Sequence, residues 1–115
     1  IVMSNGEKLP PQDAEFAILR NPVFQQVMLV SEARPFLVLI AVTEETDEAA
    51  LLMRASEQLK SFPRWVRVRR VVTTTQAWSV ESGLLTPTLK LMRPLLMQKL
   101  ARAIDAAYAE AANSR

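Results

Sequence analysis

The residues best suited to chemistry lie in SGLLTPTLKLMR, residues 82–93, where a single lysine, Lys90, ends a short loop. Pro87 fixes one backbone dihedral, and the hydroxyls of Thr86 and Thr88 can bond the backbone around them. Such a loop could hold a lysine at a fixed reach from its scaffold. Other chemistries are few, because the 115 residues include neither cysteine nor histidine. Disulfides, thiolate nucleophiles, Ser-His-Asp and Cys-His arrangements and histidine- or cysteine-bound zinc are all excluded. Lysine, arginine, carboxylates, hydroxyls and backbone remain. On composition alone, an ordinary solvated lysine is the commoner occurrence at Lys90.

Three further stretches carry charge or turn chemistry. Ser4, Asn5, Gly6, Glu7 and Lys8 form a turn whose amides could cradle a phosphate, although it reads equally as a plain hairpin turn. WVRVRR, residues 65–70, sets Arg67 and Arg69 on one strand face and Val66 and Val68 on the other. A phosphate or nucleic-acid surface is one reading. A solvated edge strand is the commoner one, since 12 acidic residues nearly balance 14 basic ones. Phe62, Trp65 and Trp78 are too few to make a base-stacking platform. Arg93, Lys99 and Arg102 lie opposite the stripe Leu96, Leu100, Ile104 and Tyr108, which could rest on a membrane but reads more readily as core. No metal-ligand cluster is expected. PFLVLIAV is far shorter than the roughly 20 residues that span a bilayer.

The elements that must position these residues follow from period and punctuation. IVMSNGEKL predicts an N-terminal hairpin around Asn5-Gly6. PPQDAEFAILRN predicts a short helix with proline in its first turn, Asp13 and Glu15 near its N-terminus, and Asn21 at its end. VFQQVMLV and PFLVLIAV predict a buried antiparallel pair. Thr46 can cap a second helix bearing Leu52, Ala55 and Leu59, which runs to Lys60. WVRVRRVVTTT alternates as a strand, and a third helix runs from Pro94 to about Ala111. The expected fold is α+β, with about three main strands, the small hairpin and three helices, in one domain spanning residues 1–115. Because the chain begins at Ile1, it is expected to be a piece of a longer protein.

SVESGLLTPTLKLMR resembles the C-terminal signature of adenylate-forming enzymes, most of all their long-chain acyl-CoA synthetase branch. IVMSNGEKLPPQDAE resembles the glycine-loop motif that opens the same C-terminal domain, and NPVFQQVMLVSEARPFLVLIAV resembles its central hairpin. Ala77-Trp78 falls where the family often has tryptophan. The match covers nearly the whole chain in order. It departs from the pattern at Ser31 and Ala33, where glycines are usual, and at Met92, often basic. The hinge residue would precede Ile1.

The resemblance implies the lid domain of an ATP-dependent fatty acid–CoA ligase. Lys90 is then the lysine that meets the α-phosphate during acyl-adenylate formation. Ser4, Asn5, Gly6, Glu7 and Lys8 are the loop that faces nucleotide and CoA after the lid rotates. Arg93, Thr86 and Thr88 take structural or domain-contact roles. ATP and Mg2+ would be held mainly by an N-terminal adenylation domain, the domain's first partner, with fatty acid and CoA as the other substrates. The implied location is cytoplasmic, with peripheral membrane attachment left open, and no nucleic-acid partner. Alone, the domain is expected to be inactive. Two other readings stay open: a stand-alone protein-interaction module, and a basic nucleic-acid binder built on Arg67, Arg69 and Arg70.

Overall fold

The computed structural model describes residues 10–30 and 36–113. The expected hairpin around Asn5-Gly6, and the turn carrying Ser31 and Ala33, lie outside the described residues.

The chain runs α1 (Pro11–Ile18), β1 (Gln26–Val30), β2 (Leu37–Val42), α2 (Glu48–Gln58), β3 (Val68–Thr74), α3 (Arg93–Lys99) and α4 (Ala101–Asn113). The strands form one sheet in the order β1-β2-β3, with β1 antiparallel to β2 and β2 parallel to β3. The mixed pairing follows from connection length. Only six residues separate β1 from β2, which pair antiparallel, whereas the crossover through α2 brings β3 in parallel.

Every residue of β2 is buried. Leu37, Leu39 and Ala41 face a core made with Ala14 and Ile18 of α1 and Leu51 and Ala55 of α2. Val38, Ile40 and Val42 face a second core made with Leu96 of α3 and Ile104, Ala107 and Tyr108 of α4. Helices thus cover both faces, which is why β2 reads as a continuous apolar run rather than an alternation. The last stripe is core: Leu96 and Ile104 are buried, Leu100 packs at the rim of the cluster, and the Tyr108 hydroxyl reaches the carbonyls of Val30 and Phe36.

Some local features differ from expectation. The last helical segment is two helices, α3 and α4, divided at Leu100, whose φ of −103° and ψ of 10° leave the helical well. The Ile104 N–H still donates to the Leu100 carbonyl, so the apolar stripe keeps its phase across the bend. The cap of α2 is Asp47 rather than Thr46, and its carboxylate accepts from Ala49 and Ala50 N–H. A carboxylate there meets both the orphan amides and the positive end of the helix dipole. The β3 strand begins at Val68, with a bulge that sets Leu37 opposite Val68 but Val38 opposite Arg70.

From β3 the chain returns across the second core through Trp78, which is buried. The Gln26 side chain grips the Trp78 backbone from both sides, accepting from its N–H at 2.7 Å and donating to its carbonyl at 3.0 Å. Ser79 and Ser82 then close a turn on each other's backbone N–H. Its next residue, Gly83, takes φ of +79°, which a Cβ would strain. This turn delivers the Lys90 loop.

Candidate functional site

The loop proves to be a tight hairpin. Leu85 and Leu91 face each other in an antiparallel bridge. Thr86 organises the tip: its N–H donates to the Lys90 carbonyl at 2.8 Å, its carbonyl accepts from Leu89 N–H at 2.8 Å, and its Oγ1 accepts from Lys90 N–H at 3.0 Å. The Thr88 hydroxyl lies 3.1 Å from that of Thr86. Pro87 occupies the bend. Leu89 then takes φ of +65°, a left-handed conformation that is costly for a bulky side chain. Lys90 is exposed at the end of this turn, and no carboxylate among the described residues pairs with it.

Arg93 starts α3 three residues later. Its guanidinium forms a two-pronged pair with Glu15 of α1, Nη2 to Oε1 at 2.5 Å and Nη1 to Oε2 at 2.9 Å. Glu15 Oε2 also accepts from Leu29 N–H of β1 at 2.7 Å. The Glu15 side chain is only 6% exposed and that of Arg93 30%. Sequence reasoning placed Glu15 as a helix-dipole residue near the N-terminus of α1; instead it turns inward. The available signal was its place beside Ala14 and Ile18, which put a charge on the buried stripe.

Between α1 and the hairpin lies a groove of about 480 Å3, lined by Phe16, Gln25, Val27, Leu89, Lys90 and Arg93 among others. Phe16 and Leu89 are 68% and 70% exposed at its rim. The groove therefore joins an apolar wall to the Lys90 ammonium, which no carboxylate among the described residues pairs, while Glu15 is already taken by Arg93. Such a surface can present positive charge to an anion brought against it.

The basic strand is more occupied than its sequence suggests. Arg70 pairs with Glu48 at 2.7 Å and with Glu110 at 2.9 Å, tying β3 to α2 and α4. Partial burial raises the affinity of the Glu48 carboxyl for its proton. Hydrogen bonds from Arg70 and Val71 N–H, with the Arg70 charge, outweigh that and hold it below the usual carboxylate range. The Arg69 guanidinium sits 5.3 Å over the Phe36 ring. Among the described residues no group of three or more His, Cys, Asp and Glu is placed to hold a metal ion, and no helix is long and apolar enough to cross a membrane. Ser4, Asn5, Gly6, Glu7 and Lys8 lie outside the described residues.

A mixed sheet covered on both faces, with a pinned lysine hairpin at one edge, defines the class. The family model described as the AMP-binding enzyme C-terminal domain matches residues 1–112, and the chain belongs to that family. It is 28% identical over 119 residues to the chloroplastic long-chain fatty acid acyl-carrier-protein ligase AEE15 of Arabidopsis thaliana, covering 94% of this chain and 16% of that protein. The A-PCP didomain of carboxylic acid reductase from Segniliparus rugosus, in complex with AMP, superposes with a TM-score of 0.88 at 19% identity. That match covers 99% of this chain and 18% of the didomain. The Mycobacterium tuberculosis fatty acyl CoA synthetase superposes with a TM-score of 0.64 at 17% identity, over 89% of this chain and 20% of the synthetase. The chain thus spans about a sixth of the curated relative and a fifth of the solved ones. It is a C-terminal domain of the adenylate-forming kind.

Proposed function

We propose that this domain is the lid of an ATP-dependent long-chain fatty acid ligase, and that Lys90 is the cation it carries to the reacting phosphate. The observation that carries the reading is the Lys90 hairpin, an exposed ammonium paired with no carboxylate among the described residues, on a backbone fixed at both sides of its own residue. In the first half-reaction a fatty-acid carboxylate oxygen attacks the α-phosphorus of ATP. The bond from that phosphorus to the bridging oxygen breaks, pyrophosphate leaves with the electron pair, and an acyl-adenylate forms. Negative charge gathers on the α-phosphate oxygens, and a preorganised ammonium stabilises it without solvent rearrangement. Adenylate formation itself transfers no proton, so the lack of histidine is no obstacle to that step. ATP, its magnesium and the acyl chain would be held by an N-terminal adenylation domain of the same polypeptide. The lid would then rotate, removing Lys90 and bringing the loop of Ser4, Asn5, Gly6, Glu7 and Lys8 toward the nucleotide and the incoming thiol. That thiol gives its proton to solvent, the thiolate sulfur attacks the acyl carbon, and the carbon–oxygen bond to the phosphate breaks as AMP leaves with the electron pair.

CoA is the acceptor proposed first, supported by the sequence motifs. Similarity to AEE15 supports a carrier-protein thiol as the second choice. Both are tested on the full-length parent by assaying adenylate formation from ATP and palmitate, and thioester formation from palmitoyl-adenylate with CoA or pantetheinylated carrier protein. Lys90→Ala should slow the first step by about 10²–10³-fold and leave the second nearly unchanged. Equal loss of both steps would sink the assignment of Lys90. The 115-residue chain alone should form no thioester from ATP, palmitate and CoA.

A further inference from the structure

We infer that Glu15 and Arg93 are positioning residues for Lys90, setting the direction in which the hairpin presents its ammonium. This deepens the lid reading and rests on it. The hairpin's own bonds, Thr86 to Lys90, Leu85 to Leu91 and Met92 N–H to the Leu84 carbonyl, fix its internal shape. They do not fix its tilt on the domain. Its apolar attachments, buried Leu84 and the partly buried Leu85 and Leu91, are hydrophobic and therefore without direction.

The Glu15–Arg93 fork is directional. It joins the residue that ends the hairpin segment to α1, and through Leu29 N–H to β1. Two parallel N–H to oxygen bonds fix an angle as well as a distance. Met92 between them is held by Leu84, so the stretch from Lys90 to Arg93 moves as one piece. A buried ion pair adds little net stability over an apolar pair of similar volume. What an apolar pair could not supply is the angle. The tilt matters only while Lys90 is in use, in adenylate formation.

The test separates angle from stability. Glu15→Met with Arg93→Leu fills the same space with apolar side chains, removing the fork while keeping burial. In the full-length parent this double variant should slow adenylate formation by about 10–100-fold, the scale of a misplacement near 1 Å. Thioester formation from palmitoyl-adenylate should stay within about twofold, since a preserved fold leaves that step untouched. In a Lys90→Ala background the same double change should add no further loss, because it acts through that lysine. Arg93→Lys, which keeps the charge but not the fork, should show the same bias more weakly and covers the case in which the double variant does not fold. Parallel loss of both half-reactions, or full additivity with Lys90→Ala, would overturn the inference and leave the role of Lys90 standing. Intact adenylation in Lys90→Ala itself would instead bring down the lid reading and this one with it.

Discussion

Glu15→Ala should be among the most damaging single changes available in this domain. The carboxylate accepts three hydrogen bonds, two from Arg93 and one from Leu29 N–H. Removing it leaves an amide at a position 3% exposed without its acceptor, a loss of about 1–3 kcal/mol. It also strands a guanidinium whose side chain is 30% exposed. A fully buried pair broken on one side costs about 3–5 kcal/mol, and partial access to water lowers that. Together the expected loss is about 3 kcal/mol, against a total of about 6–17 kcal/mol for a chain of 115 residues. With an unfolding entropy near 240 cal/mol/K for that length, the melting temperature should fall by about 12 °C. Thermal melts of the 115-residue chain followed by circular dichroism would measure it, alongside Glu15→Met with Arg93→Leu. The apolar double variant removes the stranded guanidinium but still leaves Leu29 N–H without its acceptor, so it should recover part of the shift. A fall of less than about 4 °C in Glu15→Ala, equivalent to 1 kcal/mol at this size, would refute the reasoning, as would a double variant less stable than the single one.

Leu89→Gly should leave stability unchanged or raise it by up to about 1 kcal/mol, because glycine accepts φ of +65° without strain, whereas Leu89→Val should lower it by about 1–2 kcal/mol. A glycine variant melting below the valine one would contradict this. Leu96→Ala, at a fully buried site, should cost about 2–5 kcal/mol, read from urea midpoints at constant slope. For Glu48 the folded carboxyl binds its proton less readily than the unfolded one, whose value is near 4.5. Its stabilisation is therefore complete above that value and disappears as pH falls through the lower folded one. The stabilities of the parent and Glu48→Gln, read from thermal melts, should differ most at neutral pH, by under about 1 kcal/mol for a pair this exposed, and converge as pH falls below the folded carboxyl's lowered value. A constant difference down to pH 3 would show that the charge is not responsible.

The strands and helices were legible because they rest on periodicity, which is local, whereas the cover of helices on both faces of the sheet was not. PFLVLIAV reads as a buried strand from its length and β-branched residues, and Leu96, Ile104 and Tyr108 recur at the helical period whatever they pack against. The break at Leu100 was not legible. Neither glycine nor proline marks it, and it concerns how two helices sit on a twisted surface rather than whether each forms. Asp47 displaced Thr46 as cap because both are good caps one residue apart, and the choice depends on where the strand before them ends. Lys90 was found through the residues beside it. Glu15 was missed because its partner is 78 positions away, and an ion pair at that separation leaves no periodic trace.

The central strand has a kinetic consequence. Because consecutive residues of β2 point into opposite cores, neither helical layer can be stripped away without exposing one side of the same backbone. The amides of Leu39, Ile40 and Ala41 should therefore exchange with deuterium only when the whole domain opens, at a rate set by global unfolding. A body with no separately melting half transmits torque. Turned as a whole, it would carry the hairpin through the same angle, without loss to internal bending.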